Sequence, residues 1–201
     1  MAKKQPTNKR EEQSNDDKPW WQEYRQELTF LVVFAILLGG SFTVISLPSV
    51  NDQVIVPFTG LVAKASGVAL TIIDSTIVRQ GTIIRNEAFA VNIKNGCNGV
   101  ETMLIFCAAV LAFPAPWKSR FVGLAFGLLA IQGVNLIRVV ALFLTGQHFP
   151  DFFDTSHTVL WQTVVILAGV LLWIFWADRF AGSPAKVKSS GSDGGEAAPA
   201  S

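Results

Sequence analysis

Four apolar runs separated by short polar connections leave this chain few ways to fold. Residues 28–47 carry no charge and end at Pro48, and about twenty such residues suffice for a helix to cross the ~30 Å hydrocarbon core of a bilayer. Residues 100–113 form a shorter run stopped by Pro114-Ala115-Pro116, residues 121–144 a long one, and residues 157–176 the last. In lipid the backbone must satisfy its own hydrogen bonds, so runs of this kind become helices. Half of the 201 residues are hydrophobic, 15% are charged and mean hydropathy is +0.40. The prediction is an all-α integral membrane protein with about four transmembrane helices.

A fifth stretch, residues 54–73, is apolar but contains Lys64 near its middle, with Pro57, Gly60 and Gly67. A lysine at the bilayer centre costs at least about 2.5 kcal/mol on insertion scales, so this stretch is expected to lie in or dip into the interface. Residues 76–85 and 89–94 are β-prone pieces with turn residues between them, which predicts a small β-hairpin outside the bilayer. Residues 1–27 read as a disordered and interfacial N-terminus, ending in the aromatic cluster Trp20, Trp21 and Tyr24. Residues 28–177 read as the membrane-embedded domain, and residues 178–201 as a Gly/Ser/Ala/Pro tail.

The lysines and arginines orient the chain. Six lie between residues 3 and 25, two at Lys118 and Arg120, and three between residues 179 and 188, against Lys64, Arg79, Arg85 and Lys94 on the other side, with Arg138 inside a run. The positive-inside rule puts both termini in the cytoplasm, which requires an even number of crossings and keeps residues 54–73 from crossing fully. Cys97, the hairpin and the 145–156 linker then share the outer side.

Several classes drop out. No basic patch interleaved with aromatics suggests a nucleic-acid partner. Cys97 and Cys107 are ten residues apart, about 15 Å along one helix, too far for a disulfide. His148 and His157 are the only histidines, with no HExxH or CxxC spacing, so neither metal nor cofactor is expected.

The chemistry centres on Asn95-Gly96-Cys97-Asn98-Gly99-Val100-Glu101. Glycine and asparagine tolerate the backbone of a tight turn that leaves a thiol accessible. A helix starting at about residue 98 or 99 would aim its positive end at the sulfur and favour thiolate. Arg138, flanked by apolar residues about seven residues from the outer end of its run, is an ionisable group where lipid makes one expensive; it can snorkel outward or pair with Glu101, serve the thiol, or do both. His157 opens the last run on the same side, with Asp154 or Ser156 available to orient its ring. Together they suit acyl transfer: Cys97 attacks a carbonyl, His157 gives a proton to the leaving amine, and Arg138 stabilises the oxyanion. Asn98, Glu101 and Asn135 are the polar neighbours that could support them.

These blocks, with Asn135-Leu136-Ile137-Arg138 and His157 at the start of a final helix, resemble the exosortase/archaeosortase family, multi-pass membrane transpeptidases; the small size and the form of the Cys97 block are most similar to exosortase H. The resemblance covers roughly residues 30–177. It implies Cys97 as nucleophile, Arg138 as its electrostatic partner and His157 as general acid/base, in a bacterial cytoplasmic (inner) membrane. It also implies secreted-protein substrates with a C-terminal sorting signal, of IPTL…WG type for the H subfamily, cleaved and passed to a surface acceptor that the residues do not identify. Three other readings stay open: a non-enzymatic assembly or scaffold subunit with an incidental Cys97, a thiol oxidoreductase lacking a resolving partner, and a small transporter lacking an internal repeat.

Overall fold

A computed structural model describes residues 24–181; the Trp20–Trp21 pair and the tail beyond residue 181 lie outside them. Helix α1 (Arg25–Ile45) and α2 (Pro48–Ile73) are joined at Ser46-Leu47, with Pro48 at a helix start, where its missing N–H costs nothing. Strands β1 (Val78–Gln80), β2 (Ile83–Arg85) and β3 (Ala90–Asn92) follow, then α3 (Val100–Ala112), α4 (Trp117–His148) and α5 (Pro150–Phe180).

Four of these helices, α1, α2, α4 and α5, are long and apolar enough to cross a membrane. The set differs from the one expected. Residues 100–113 were expected to span; α3 has 13 residues and rises about 20 Å, and the non-helical residues 113–116 complete the passage to the start of α4. Gly96 and Gly99 hold φ of 87° and 78°, and Asn98 Oδ1 accepts the Val100 N–H at 3.1 Å, so an Asx-type turn delays the helix until Val100, while Pro114 stops it. Helix α2, whose residues 54–73 were expected to lie in or dip into the interface, is itself long and apolar enough to cross, because the helix begins at Pro48 and has 26 residues. Thr59, Ala63, Ser66 and Leu70 are buried at helical spacing, forming one stripe with Lys64 exposed beside it. Ala63 and Leu70 share a core with Ile77, Ile84, Ile93, Val139 and Phe143, so α2 leans on the sheet and on the C-terminal half of α4.

The expected two-stranded hairpin is a three-stranded antiparallel sheet in the order β1-β2-β3. The first β-prone piece supplies two strands because Gly81, at φ 63°, turns the chain between Gln80 and Ile83, which pair directly. Asn86 Oδ1 then accepts the Ala88 and Phe89 N–H groups at 3.0 and 2.8 Å, reversing the chain into β3. Asp74 ties α2 to this sheet: Oδ1 accepts from Thr76 N and Oγ1, and Oδ2 from Asn86 Nδ2 at 3.1 Å. Those bonds, Thr76's foremost, hold its carboxyl below the usual carboxylate range.

The opposite end of the bundle closes around a second core of Phe106, Val110, Ile131 and Trp176. Gly123 and Gly127, four apart on α4, make it possible: a Cβ on Gly123 would strike the Trp176 ring, and one on Gly127 the Phe106 ring. Small residues at this spacing let membrane helices approach closely. Helix α1 buries none of its residues and joins through Phe30, whose ring lies 6.2 Å from Phe113 and 5.9 Å from Trp173.

Candidate active site

The loop between β3 and α3 is fastened from several sides before any reactive group is considered. Ile93 N donates to Thr82 O at 3.0 Å and Cys97 N to Lys94 O at 2.9 Å. Asn95 Nδ2 donates to Asn51 Oδ1 at 2.9 Å. Asn98 is fully buried; its Nδ2 donates to Thr59 Oγ1 at 2.9 Å, and its carbonyl accepts from Gln132 Nε2 at 3.1 Å. One asparagine thus links the loop to α2 and α4. Gly99 completes the seat, because Gln132 Nε2 and Asn135 Cγ lie 3.0 and 3.1 Å from where its Cβ would stand, and its left-handed φ disfavours any other residue.

This loop presents Cys97, half-buried, to side chains from two other helices. Its Sγ lies 2.7 Å from His157 Nε2 and 3.9 Å from Arg138 Nη2. Arg138 is 2% exposed, and its Nη1 donates to Gly96 O at 3.3 Å. The arginine therefore grips the backbone beside the cysteine rather than bonding to Glu101. It lies ten residues before the helix end at His148, not the seven expected, because α4 continues through Thr145-Gly146-Gln147-His148.

His157 sits in a π-helical turn, Ser156–Leu160, a distortion frequent at functional sites. Neither Asp154 nor Ser156 hydrogen-bonds its ring. Phe153 stacks on it instead, at 5.9 Å between centroids and 5° between planes. Phe153 meets Phe89 at 5.3 Å, and Phe89 meets Phe143 at 5.7 Å, so an aromatic row runs from the β2–β3 turn to the imidazole. Gly146 admits that row, since a Cβ there would collide with Phe89.

The electrostatics depart from the expectation of a thiolate stabilised by a helix start. Burial, the largest influence, pushes the Cys97 thiol up; the Arg138 charge pulls it down, the Glu101 charge adds to the rise, and the Lys94 hydrogen bond opposes it. Glu101 reaches the sulfur through its field alone. Asn135 is fully buried against Gly99, and among the described residues neither of its amide atoms has a hydrogen-bond partner.

Three contributors escaped the sequence reading. Gln132 had a signal, since Gln132, Asn135 and Arg138 recur every three residues along one side of α4. Thr59 and Phe153 had none, an ordinary threonine in an apolar run and an ordinary phenylalanine in the linker between Asp151 and Asp154. A cleft of about 370 Å³ opens between β3 and Val139, Leu142 and Phe153, and Cys97 and His157 line it too. No curated protein and no solved structure matches the chain. The model of the transmembrane exosortase family matches residues 23–176. With that match running from before α1 into the last turns of α5, through the loop that holds Cys97 against His157 and Arg138, the chain belongs to the transmembrane exosortase family.

Proposed function

We propose that Cys97, His157 and Arg138 are the catalytic set of a cysteine transpeptidase that cleaves C-terminal sorting signals and passes the acyl group to a surface acceptor. Family membership supplies the coarser frame of a membrane-embedded sorting transpeptidase working on secreted proteins. The observation that carries the finer reading is the convergence on one sulfur of an imidazole at 2.7 Å and a guanidinium at 3.9 Å, from helices 41 and 60 residues further along the chain. A base within hydrogen-bond reach of its nucleophile is the geometry this chemistry needs.

Cys97 rests as a thiol, in keeping with its burial. His157 Nε2 takes the thiol proton as Sγ attacks the substrate carbonyl carbon, and the electron pair of the C=O bond moves onto oxygen. Arg138, itself 2% exposed and fixed by the Gly96 carbonyl, faces that negative charge as a preorganised cation. When the intermediate collapses, the C–N bond breaks and His157 returns the proton to the leaving amine, leaving a thioester on Cys97. An acceptor nucleophile gives its proton to His157 and attacks the thioester; the C–S bond breaks, and the departing sulfur takes that proton from His157, restoring the thiol and the neutral imidazole. The substrates are secreted proteins with an IPTL…WG-type signal. The cysteine, the sheet and the α4–α5 junction face outward from the cytoplasmic (inner) membrane, with α2 along the outer interface.

The test is co-expression with a secreted reporter ending in Ile-Pro-Thr-Leu, an apolar helix and a basic tail, comparing wild type with Cys97→Ala and Cys97→Ser at equal expression. Wild type is expected to shorten the reporter, and both variants to fall by about a hundredfold or more, as removal of a nucleophile does. Equal processing by Cys97→Ser would end the thiol mechanism.

A further inference from the structure

The sheet ends beside the cysteine on a strand, β3, whose outer edge pairs with no other strand among the described residues. In the β2–β3 pair Asn86 N donates to Phe89 O and Ile93 N to Thr82 O, and Ile84 stands opposite Val91. Antiparallel pairing alternates, so Phe89, Val91 and Ile93 direct their backbone groups to β2, whereas Ala90 and Asn92 direct theirs to the free edge. Among the described residues no backbone hydrogen bond reaches Ala90 or Asn92 from that side. An open edge invites another strand, and proteins ordinarily blunt or cover one. This edge borders the ~370 Å³ cleft that Cys97 and His157 also line, a volume within the roughly 300–1,000 Å³ of ligand-binding clefts. Val139, Leu142 and Phe153 form the apolar far wall.

We infer that the substrate segment carrying the scissile bond binds as an extended fourth strand on the free edge of β3, bonding backbone to backbone with Ala90 and Asn92 while an apolar side chain faces Val139, Leu142 and Phe153. The inference rests on the proposed thiol chemistry and adds how the carbonyl is delivered to it. Strand addition takes affinity from main-chain hydrogen bonds and selectivity from pockets for alternate side chains. The occupant is an extended polypeptide because only a backbone offers both donor and acceptor at the spacing of Ala90 and Asn92. An extended segment also exposes its carbonyls for attack, which a helix does not, so a substrate helix must end before the cleft.

Proline provides the probe, since at an outward-facing edge position it removes one N–H without touching the β2 ladder. Ala90→Pro and Asn92→Pro are each expected to slow processing of the Ile-Pro-Thr-Leu reporter by about fivefold or more, the worth of a lost hydrogen bond plus the obstruction of the ring. Arg79→Pro, on the opposite edge, is expected to change it by less than about twofold. If both β3 prolines process as fast as wild type, strand addition is wrong while the thiol mechanism stands. A second measurement covers misfolded variants and a reporter that wild type does not cut: amide exchange in full-length Cys97→Ala with and without the reporter. The amides of Ala90 and Asn92 are expected to slow with the reporter present, those of Val91 and Ile93 being protected already. Unchanged exchange at Ala90 and Asn92 overturns the inference, whichever way the cleavage assay reads.

Discussion

Cys97 illustrates how opposing influences set the state of one side chain. Burial raises the thiol and the Arg138 guanidinium lowers it, so a substitution at either neighbouring charge must move the cysteine in a definite direction. Glu101 raises the thiol; Glu101→Gln removes the anion, and thiolate then forms at lower pH. Arg138→Gln removes the cation, and thiolate forms at higher pH. Iodoacetamide alkylation of the Cys107→Ala protein in detergent, followed by mass spectrometry across pH, should show the first curve shifted toward acid and the second toward base. Curves for both that coincide with wild type would mean that burial alone governs the sulfur. The candidate triad was legible at this scale because cysteine, arginine and histidine are scarce and chemically distinct among apolar residues. The protonation state was not, because desolvation depends on what other segments lay over the sulfur.

At the scale of elements, α4 is the member on which the others are hung. Its N-terminal half accepts Trp176 against Gly123 and Phe106 against Gly127, and its C-terminal end accepts Phe89 against Gly146. Gly127→Ala forces a methyl into a ring and is expected to cost about 1–3 kcal/mol as overpacking. Gly133→Ala, where no atom lies within 4 Å of the new methyl, is expected to be neutral or stabilising by up to about 1 kcal/mol from helix propensity. Unfolding of the purified proteins in mixed micelles by added SDS reads both, and equal midpoints would refute the close packing of α3 on α4. The positions of α1, α4 and α5 were legible from hydropathy, which is a local property, although α4 and α5 run beyond the apolar stretches 121–144 and 157–176 to Trp117–His148 and Pro150–Phe180. The start of α3 was legible to within two residues, since its apolar run begins at residue 100; what fixes it there was not, because the Asn98 side chain bonds the Val100 N–H while also reaching Thr59.

For the whole molecule the question is which end faces which compartment. Arg120 bonds the Phe113 carbonyl and Ser119 the Phe180 carbonyl, closing one end of the bundle. The sheet and Cys97 close the other, since Arg138 lies 21 residues beyond Trp117, about 32 Å along α4, roughly one hydrocarbon thickness away. In the Cys97→Ala, Cys107→Ala background, Arg85→Cys is expected to react with a membrane-impermeant maleimide in intact spheroplasts, and Lys118→Cys only after lysis. The reverse pattern would invert the topology.

The amino-acid sequence by itself determined that the chain belongs in a bilayer and which residues are chemically able to act, because hydrophobicity, charge and nucleophilicity are carried by single residues and short windows. Only the tertiary structure decided that α2 lies along the sheet, that the sheet has three strands with a free edge at the cleft, and that His157 is held by Phe153. Those outcomes depend on which surfaces are left to bury once distant segments meet, and no local window contains that information.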